Sequence, residues 1–251
     1  MKRIIVLITL LISSNSMFAQ NLEVSIGVKK LDTEKSDVNF IYLDESGAPD
    51  LLVSNLKMKG SKSAFNISVD YDNYQGEQKL YPILKLAGYF GELSGGDLSI
   101  GVGYPINLGS EGKLKLHPEL SMVFGFNKKD LGTLDVEAAG SIYIQVNDTK
   151  FGNYQSVDVT LQNSYLTFRP GAKLAYSINE TTELRFFLGY LIGKGKSKVK
   201  FSGEDDNGDT VVDHENLGVN NMYFGVNGGQ KSKSPFSARG LEMRVGIAFN
   251  L

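Results

Sequence analysis

Three residues that can take part in catalysis, His117, Glu119 and Ser121, lie two positions apart along the chain. In an extended strand this spacing puts them on one face, where His117 and Glu119 could carry out the acid–base steps of a hydrolase. Successive side chains on one strand face are about 7 Å apart, however, which is too far for short side chains to hydrogen bond. The chain also has no Gly-x-Ser-x-Gly sequence to present a nucleophile. The pattern favours a structural pair, and we expect neither catalytic residues nor enzyme activity.

A metal site is a second candidate, because Asp205, Asn207 and Asp209 match the first three ligand positions of a calcium-binding loop. Thr210 stands where that loop requires glycine, and Asn216 stands where it requires glutamate. The chain has only two histidines, which argues against a zinc site. We therefore expect a solvated acidic loop, no metal and no cofactor, with a weak ion site that stiffens the loop as the alternative.

The elements that position these residues are predicted to be β-strands. From residue 113 to residue 126, and again over residues 240–251, apolar and polar residues alternate with a period of two. A helix would repeat its apolar residues every three or four positions, so this pattern excludes one. Each such strand has one apolar and one polar face.

The same alternation predicts about ten strands, or eight if residues 154–161 form a loop and one other assignment fails. The ten predicted strands are residues 22–29, 65–71, 80–90, 98–106, 113–126, 134–146, 154–161, 165–178, 184–192 and 240–251. Residues 127–132 are predicted to form a tight loop, and the polar segment 31–62 to form a long loop. The longest polar segment, 194–239, is predicted to extend the ninth strand above the membrane before the chain returns. An even number of strands brings both termini to one side, with short turns there after Tyr71, Ile106, Val146 and Ile178.

The first nineteen residues are typical of a secretory signal peptide. Lys2 and Arg3 precede an apolar run that is shorter than the ~20 residues a membrane-spanning helix needs, and cleavage is expected near Ala19. Residues 20–251 would then form a single domain without disulfides, since the chain has no cysteine. The net charge of −2 gives no basic field that would attract nucleic acid.

The alternation alone is compatible with two kinds of barrel. A soluble lipocalin-like carrier would turn the apolar face inward, whereas a barrel in an outer membrane would turn it outward. Strands of nine or more residues, aromatic residues near the strand ends, and more apolar surface than a small barrel can enclose all favour the second kind. We therefore predict a closed, antiparallel, up-and-down transmembrane β-barrel in the bacterial outer membrane.

With the apolar face outward, the polar face points to the barrel axis and carries many charges. We expect these charges to form a salt-bridged plug, because an isolated buried ion costs several kcal/mol; the alternative is that each is only solvated. The predicted lumen charge network consists of Glu23, Lys29, Asp70, Lys85, Lys115, His117, Glu119, Glu137, Arg169, Lys173, Arg185, Glu242 and Arg244.

The signal sequence ending Phe18-Ala19-Gln20, the ladder of alternating strands and the final residues 245–251 resemble small Gram-negative outer-membrane β-barrel proteins of the OmpA-like and OmpW-like class. This resemblance implies assembly by the barrel-assembly machinery, which is thought to read an aromatic residue at the end of the last strand. Here Phe249 is third from last, and Leu251 ends the chain.

The sequence leaves the role of such a barrel open. We favour a monomer with a structural or surface-binding role through long extracellular loops; a narrow pore for small solutes or hydrophobic compounds is the alternative, followed by a hydrolase or a soluble carrier. The expected partners are outer-membrane lipid and lipopolysaccharide, with no nucleic acid. Lys194, Lys196, Lys198 and Lys200 could contact anionic lipopolysaccharide, although an ordinary solvated strand edge explains them as well.

Overall fold

In the computed structural model, eight long strands of the described residues form one closed antiparallel barrel. They are β1 Asn21–Thr33, β2 Lys62–Asp72, β3 Tyr81–Gly91, β4 Ser94–Gly103, β5 Leu114–Asp135, β6 Ser156–Ser177, β7 Thr182–Glu204 and β8 Phe236–Asn250. Each strand pairs with the next along the chain, and β8 pairs with β1. The eight strands therefore satisfy one another's backbone groups around the whole ring.

The structure describes residues 21–33, 36–39, 42–43, 49–50, 56–58, 62–74, 79–110, 112–135, 143–146, 149–152, 156–205, 207–216, 223–224 and 236–251. The predicted signal peptide and Glu137 lie outside these residues. Two short strands extend the barrel sheet: Ile106–Leu108 pairs with β5, and Thr210–Asn216 pairs with β7. Three small sheets lie between the barrel strands. They are the hairpin of Tyr143–Val146 and Thr149–Gly152, the sheet in which Ser36–Asn39 pairs with both Leu56–Met58 and Tyr223–Phe224, and the pair Tyr42–Leu43 and Pro49–Asp50. Within these ranges, no helix has the length and hydrophobicity needed to cross a membrane.

The predicted closed barrel is confirmed, with the alternative count of eight strands. The predicted tight loop at 127–132 is wrong, because pairs such as Asn127 with Asn163 continue the ladder between β5 and β6 past the end of the apolar alternation. Gly132, with φ of 116°, forms a bulge that lets β5 continue instead of turning. For the same reason, residues 154–161 are not a separate strand, since the strand residues from Ser156 onward are the start of β6.

The predicted strand at 134–146 is also wrong. β5 ends at Asp135, and Tyr143–Val146 belongs to a separate two-stranded hairpin between β5 and β6. The turn after Val146 consequently lies at the barrel end opposite the termini, whereas the turns after Tyr71, Ile106 and Ile178 lie at the terminal end as predicted.

The described barrel strands turn apolar side chains outward and charged side chains inward. On β8, the outward residues Val245 and Ile247 are 47% and 44% exposed, while the inward residues Glu242 and Arg244 are 0% and 1% exposed. The predicted orientation is therefore confirmed, and the soluble carrier, which needs the opposite arrangement, is excluded. An outward apolar belt of this kind suits the hydrocarbon region of a bilayer.

Three strands, β5 to β7, rise above this belt, and their polarity reverses there. On β6 the outward residues are apolar from Leu166 onward but polar at Ser164 and before, whereas the inward Val157, Val159 and Leu161 are buried and apolar. The reversal on one continuous strand marks the level at which water replaces lipid outside the barrel. Above that level the three strands have a dry inner face and a wet outer face, as in a soluble sheet.

A charge placed in the belt tests this assignment. Val245, in the middle of the outward residues of β8, and Val212, on the short strand beside β7, are exposed valines at 47% and 44%. We expect Val245→Arg to destabilise the barrel by about 2–4 kcal/mol in lipid vesicles, and Val212→Arg to change stability by less than about 1 kcal/mol, because only the first puts a charge in hydrocarbon. Urea unfolding of both variants in phosphatidylcholine vesicles measures the difference, and equal effects would contradict the position of the belt.

Candidate functional site: the barrel interior

The interior nearest the termini is organised around Arg185 of β7. Its guanidinium forms salt bridges with Asp72 at 2.6 Å, Glu183 at 2.8 Å and Glu23 at 3.3 Å. Glu183 also accepts a hydrogen bond from Lys115 at 3.0 Å. Four strands, β1, β2, β5 and β7, are thereby joined across the barrel axis. Removing any one of these carboxylates leaves a buried cation with fewer partners.

Lys173 of β6 forms the next layer of contacts. Its ammonium forms salt bridges with Glu23 at 2.9 Å and with Glu119 at 3.1 Å. All three side chains are at most 2% exposed. Glu119, one of the residues that the sequence analysis considered for acid–base chemistry, is therefore the counter-ion of a buried lysine.

His117 lies in an aromatic cluster that fills the barrel end near the termini. Its Nδ1 hydrogen bonds with the Tyr81 hydroxyl at 2.7 Å, and its ring contacts Tyr74 edge-on at a centroid distance of 5.1 Å. Tyr74, which follows β2, is itself buried and lies beneath the ammonium of Lys115 at 5.1 Å from its ring centroid. The cluster packs His117 against aromatic rings rather than presenting it to a substrate.

Glu242 of β8 is the centre of a second ionic cluster deeper in the barrel. It forms salt bridges with Lys85, with Arg169 at 3.1 Å and with Arg244 at 3.0 Å. Arg244 also forms a salt bridge with Asp70 at 2.7 Å. Every one of these five side chains is at most 1% exposed. The register places Arg244 opposite Gly27, and a Cβ at Gly27 would lie 2.8 Å from the Arg244 side chain.

Phe187 is an apolar residue among these charges. Its ring lies 4.3 Å from the guanidinium carbon of Arg244 and 5.1 Å from that of Arg169. The ring occupies the space that side chains at Gly171 and Gly189 would need, since a Cβ at either position would come within 2.7 Å of it. Cation–π contacts and the two glycines thus let an aromatic ring occupy space among the charged groups.

A third cluster lies towards the end opposite the termini. Lys29 of β1 forms a salt bridge with Asp97 at 2.6 Å and donates a hydrogen bond to the Tyr165 hydroxyl at 2.9 Å. The Tyr165 hydroxyl also hydrogen bonds with that of Tyr89. The Tyr165 ring fills the space above Gly125, where a Cβ would lie 2.2 Å from it. Two tyrosines and one ion pair therefore cross this level of the barrel.

Beyond this level lies one row of buried polar residues, Asn127, Asn163 and Ser197, which hydrogen bond to one another, and the buried residues above that row are apolar. Val159, Leu161, Phe201 and Leu93 are at most 2% exposed and belong to one packed cluster, which also includes Phe151 from the hairpin between β5 and β6. The cluster extends to inward residues of β1, β2, β3 and β8. It forms a dry layer above the charged interior, and we call it the apolar cap.

Among the described residues inside the belt, the numbers of cationic and anionic side chains are equal. Three of the acids, Asp72, Asp97 and Glu183, were not identified by the sequence analysis. The cations are Lys29, Lys85, Lys115, Arg169, Lys173, Arg185 and Arg244, and the carboxylates are Glu23, Asp70, Asp72, Asp97, Glu119, Glu183 and Glu242. The three acids lie at or near strand ends, where turn signals interrupt the alternation. Their inward direction follows from counting by twos from Asp70, Ser99 and Arg185.

The acidic segment that resembles a calcium loop forms the turn between β7 and the strand Thr210–Asn216. The Asp205 carboxylate accepts hydrogen bonds from the backbone N–H groups of Asn207 at 2.8 Å and Asp209 at 3.0 Å, and these bonds lower the pKa of Asp205. No group of three or more potential metal ligands occurs among the described residues. The spacing of Asp205, Asn207 and Asp209 is explained by the turn itself.

The fold is similar to that of a major outer membrane protein from Thermus thermophilus, with a TM-score of 0.51, 14% sequence identity, and coverage of 93% of this chain and 100% of that chain. The outer membrane protein OprG from Pseudomonas aeruginosa aligns with a lower TM-score of 0.46 and 13% sequence identity, and the alignment covers 93% of this chain and 97% of that chain. No family model matches the chain, and no curated protein matches it. At 14% identity, the likeness to the Thermus thermophilus protein shows the fold alone.

Proposed function

We propose, from the premise that this chain is an outer-membrane β-barrel, that it is a closed barrel with a structural or surface-binding role through its extracellular part. The proposal includes a monomer that conducts no steady ion current, has no enzyme activity, and is assembled through its last strand after removal of residues 1–19. It rests chiefly on one observation, namely that the interior is filled by salt-bridged side chains of balanced charge.

The interior contacts support closure because they span the barrel rather than line its wall. Arg185 of β7 reaches Asp72 of β2, and Lys85 of β3 reaches Glu242 of β8. A barrel of eight strands is narrow enough for side chains to fill. The apolar cap adds a dry layer through which hydrated ions would have to pass at high cost.

The tall part formed by β5, β6 and β7 supports a surface role. It rises above the apolar belt, and its outer face is polar, with Asp158 exposed and Thr160 and Gln162 partly exposed. A sheet of this size above the membrane is more than a barrel needs to close its strands. We infer that this face, together with the loops, makes the protein's contacts outside the cell.

The arrangement of His117 and Glu119 supports a structural role for both. The His117 imidazole hydrogen bonds with Tyr81, and the Glu119 carboxylate is paired with Lys173. Both residues lie at most 6% exposed inside the barrel, so that a macromolecular or lipid substrate would not reach them. A hydrolase would need an accessible nucleophile beside its base.

A narrow pore remains the second candidate, and one observation favours it. Buried polar atoms of Asn66, Ser121 and Thr167 have no hydrogen-bond partner among the described residues. Buried polar groups are normally paired with protein or with water, so these atoms favour some water inside the barrel. A continuous file of such water would carry small ions.

Conductance measurements distinguish the two functions. We expect the purified protein to show no steady single-channel current in a planar phosphatidylcholine bilayer. Replacing Lys85, Glu242, Arg244 and Asp70 together with serine removes two cations and two carboxylates, keeps the interior charge balanced and shortens four side chains that cross the barrel. We expect this variant to conduct, because the removed volume would fill with water.

The matched control carries serine at Lys128 and Asp130, an outward cation and carboxylate of β5. It should be as silent as the parent protein. Heat-dependent gel mobility shows for each sample that the barrel is folded before its current is recorded. A steady current through the unaltered protein would favour the pore, and a folded but silent quadruple variant would contradict the assignment of closure to these side chains.

A further inference from the structure

A group of outward lysines lies just above the apolar belt on the tall side of the barrel. It consists of Lys128 on β5 and of Lys196, Lys198 and Lys200 on β7. Lys128 and Lys196 are exposed, and Lys198 and Lys200 are partly exposed. We call these four residues the basic patch.

The strand register places the four lysines close together. Lys128 is paired with Gln162 of β6, and Gln162 is paired with Lys198 of β7, so the two lysines lie in one row two strands apart. Strands are spaced by about 4.8 Å, which puts their Cα atoms about 10 Å apart. Lys196, Lys198 and Lys200 follow one another at about 7 Å along the same face of β7. The patch is therefore about the size of a small anionic headgroup.

The level of the patch matches that of lipid headgroups. Lys128 is the next outward residue after Phe126, which is 62% exposed, and Lys196 is paired with Ser164, the outward residue just before Leu166, which is 52% exposed. Phe126 and Leu166 belong to the apolar belt. Basic side chains directly above a membrane-spanning surface lie where phosphate groups are found.

The described part of the protein does not neutralise the charges of the patch. Within the described part of the chain, none of its four lysines forms a salt bridge. The carboxylate of Asp130, the next outward residue on β5, accepts a hydrogen bond from the backbone N–H of Gly132 instead. Gln162 and Ser164 lie between the lysines and add neutral hydrogen-bond donors to the same face.

The patch is confined to one side of the barrel. On β1 and β8, the outward basic residues at this level are Lys30 and Arg239, one on each strand. Among the described residues, β7 alone carries lysines in consecutive outward positions. The asymmetry indicates a defined binding surface, whereas a general attraction to the membrane would need no clustering.

We propose that the basic patch binds the phosphate groups of an outer-leaflet glycolipid such as lipid A. This inference rests on the proposed function, because it names the partner of the surface role and requires the belt to lie in the outer membrane. Lys196 and Lys198 contact one phosphate and Lys128 a second across Gln162, while the acyl chains lie against the apolar residues below. Each lysine replaces part of the hydration of a phosphate oxygen with a charge-assisted hydrogen bond.

The test is a titration of the full-length protein in neutral detergent with diphosphoryl lipid A, with native mass spectrometry to count bound lipid. The variant carries glutamine at Lys196, Lys198 and Lys200. We expect its affinity for diphosphoryl lipid A to fall at least about tenfold, since a basic residue near such a surface contributes about 1 kcal/mol before screening. Lipid A from which both phosphates have been removed should bind equally weakly to both proteins.

A matched variant with glutamine at Lys30, Lys113 and Arg239 removes three exposed cations away from the patch and should keep its affinity within about twofold. Inorganic phosphate, compared with chloride at equal ionic strength, should not displace the lipid; displacement at low millimolar concentration would show a site for free phosphate and overturn the proposal. Equal losses in both triple variants, or no loss in either, would overturn it as well. Conductance in phosphatidylcholine is independent of this result, so failure here leaves the proposal of a closed barrel to its own test.

Discussion

Glu242→Gln should destabilise the barrel by about 3–5 kcal/mol while leaving its shape almost unchanged. Glu242 is fully buried and contacts three cations, Lys85, Arg169 and Arg244. Glutamine has nearly the same size as glutamate but carries no charge. After the substitution, the cluster contains three cations and one carboxylate, that of Asp70. Breaking a buried ionic network by neutralising one partner costs far more than losing an exposed pair, because the remaining charges stay buried.

Urea unfolding of the variant in phosphatidylcholine vesicles measures this loss, and heat-dependent gel mobility gives an independent estimate. The control is Glu180→Gln, the same change at an exposed residue of the turn between β6 and β7. It should change stability by less than about 1 kcal/mol. If both variants unfolded at the same urea concentration as the parent protein, the ionic cluster would not contribute to stability as described.

Lys29 and Asp97 should show a large coupling energy in a double-mutant cycle. Lys29→Met and Asp97→Asn should each cost about 3–5 kcal/mol, because each leaves the other charge buried without its partner. The double variant should cost less than the sum of the two, and no more than either single change, because no charge is left unpaired. Lys29→Met also removes the hydrogen bond to the Tyr165 hydroxyl, so the loss of stability in this single variant should be about 1 kcal/mol larger.

The same unfolding measurement on the four proteins gives the coupling energy directly. A parallel cycle with Lys128→Met and Asp130→Asn, on the outward face of β5, provides the exposed reference and should give a coupling below about 1 kcal/mol. Additive losses at Lys29 and Asp97 would mean that water within the barrel screens this pair. That outcome would also favour the second candidate function, a narrow pore.

The strands and their faces could be predicted because they depend on local order in the chain. A period of two over residues 113–126 and 240–251 identifies strands, and the lengths of the strands with their aromatic ends indicate which face meets lipid. Twelve of the thirteen predicted interior residues point into the barrel, and the remaining one, Glu137, lies outside the described residues. Alternation carries this information because each residue's face follows from that of its neighbour.

The extension of β7 above the membrane was predicted from the polar residues after 194, but the extent of β5 and β6 could not be predicted in the same way. Above the belt these strands exchange their polar and apolar faces, so that residues such as Asn127 and Gln162 look like loop residues to any test for apolar alternation. Backbone pairing with the neighbouring strand keeps them extended. Gly132, which suggests a turn, forms a bulge because β6 is present to continue the ladder.

The sequence by itself determined that this chain is a barrel with lipid-facing strands and a charged interior, since both properties follow from which residue types recur at every second position. Only the tertiary structure decided that eight strands close the ring and which charges meet. Arg185 pairs with Asp72 across 113 positions, and Lys29 with Asp97 across 68. Such pairs depend on strand register and on the tilt that brings distant inward residues to one level, and neither is encoded in the local pattern.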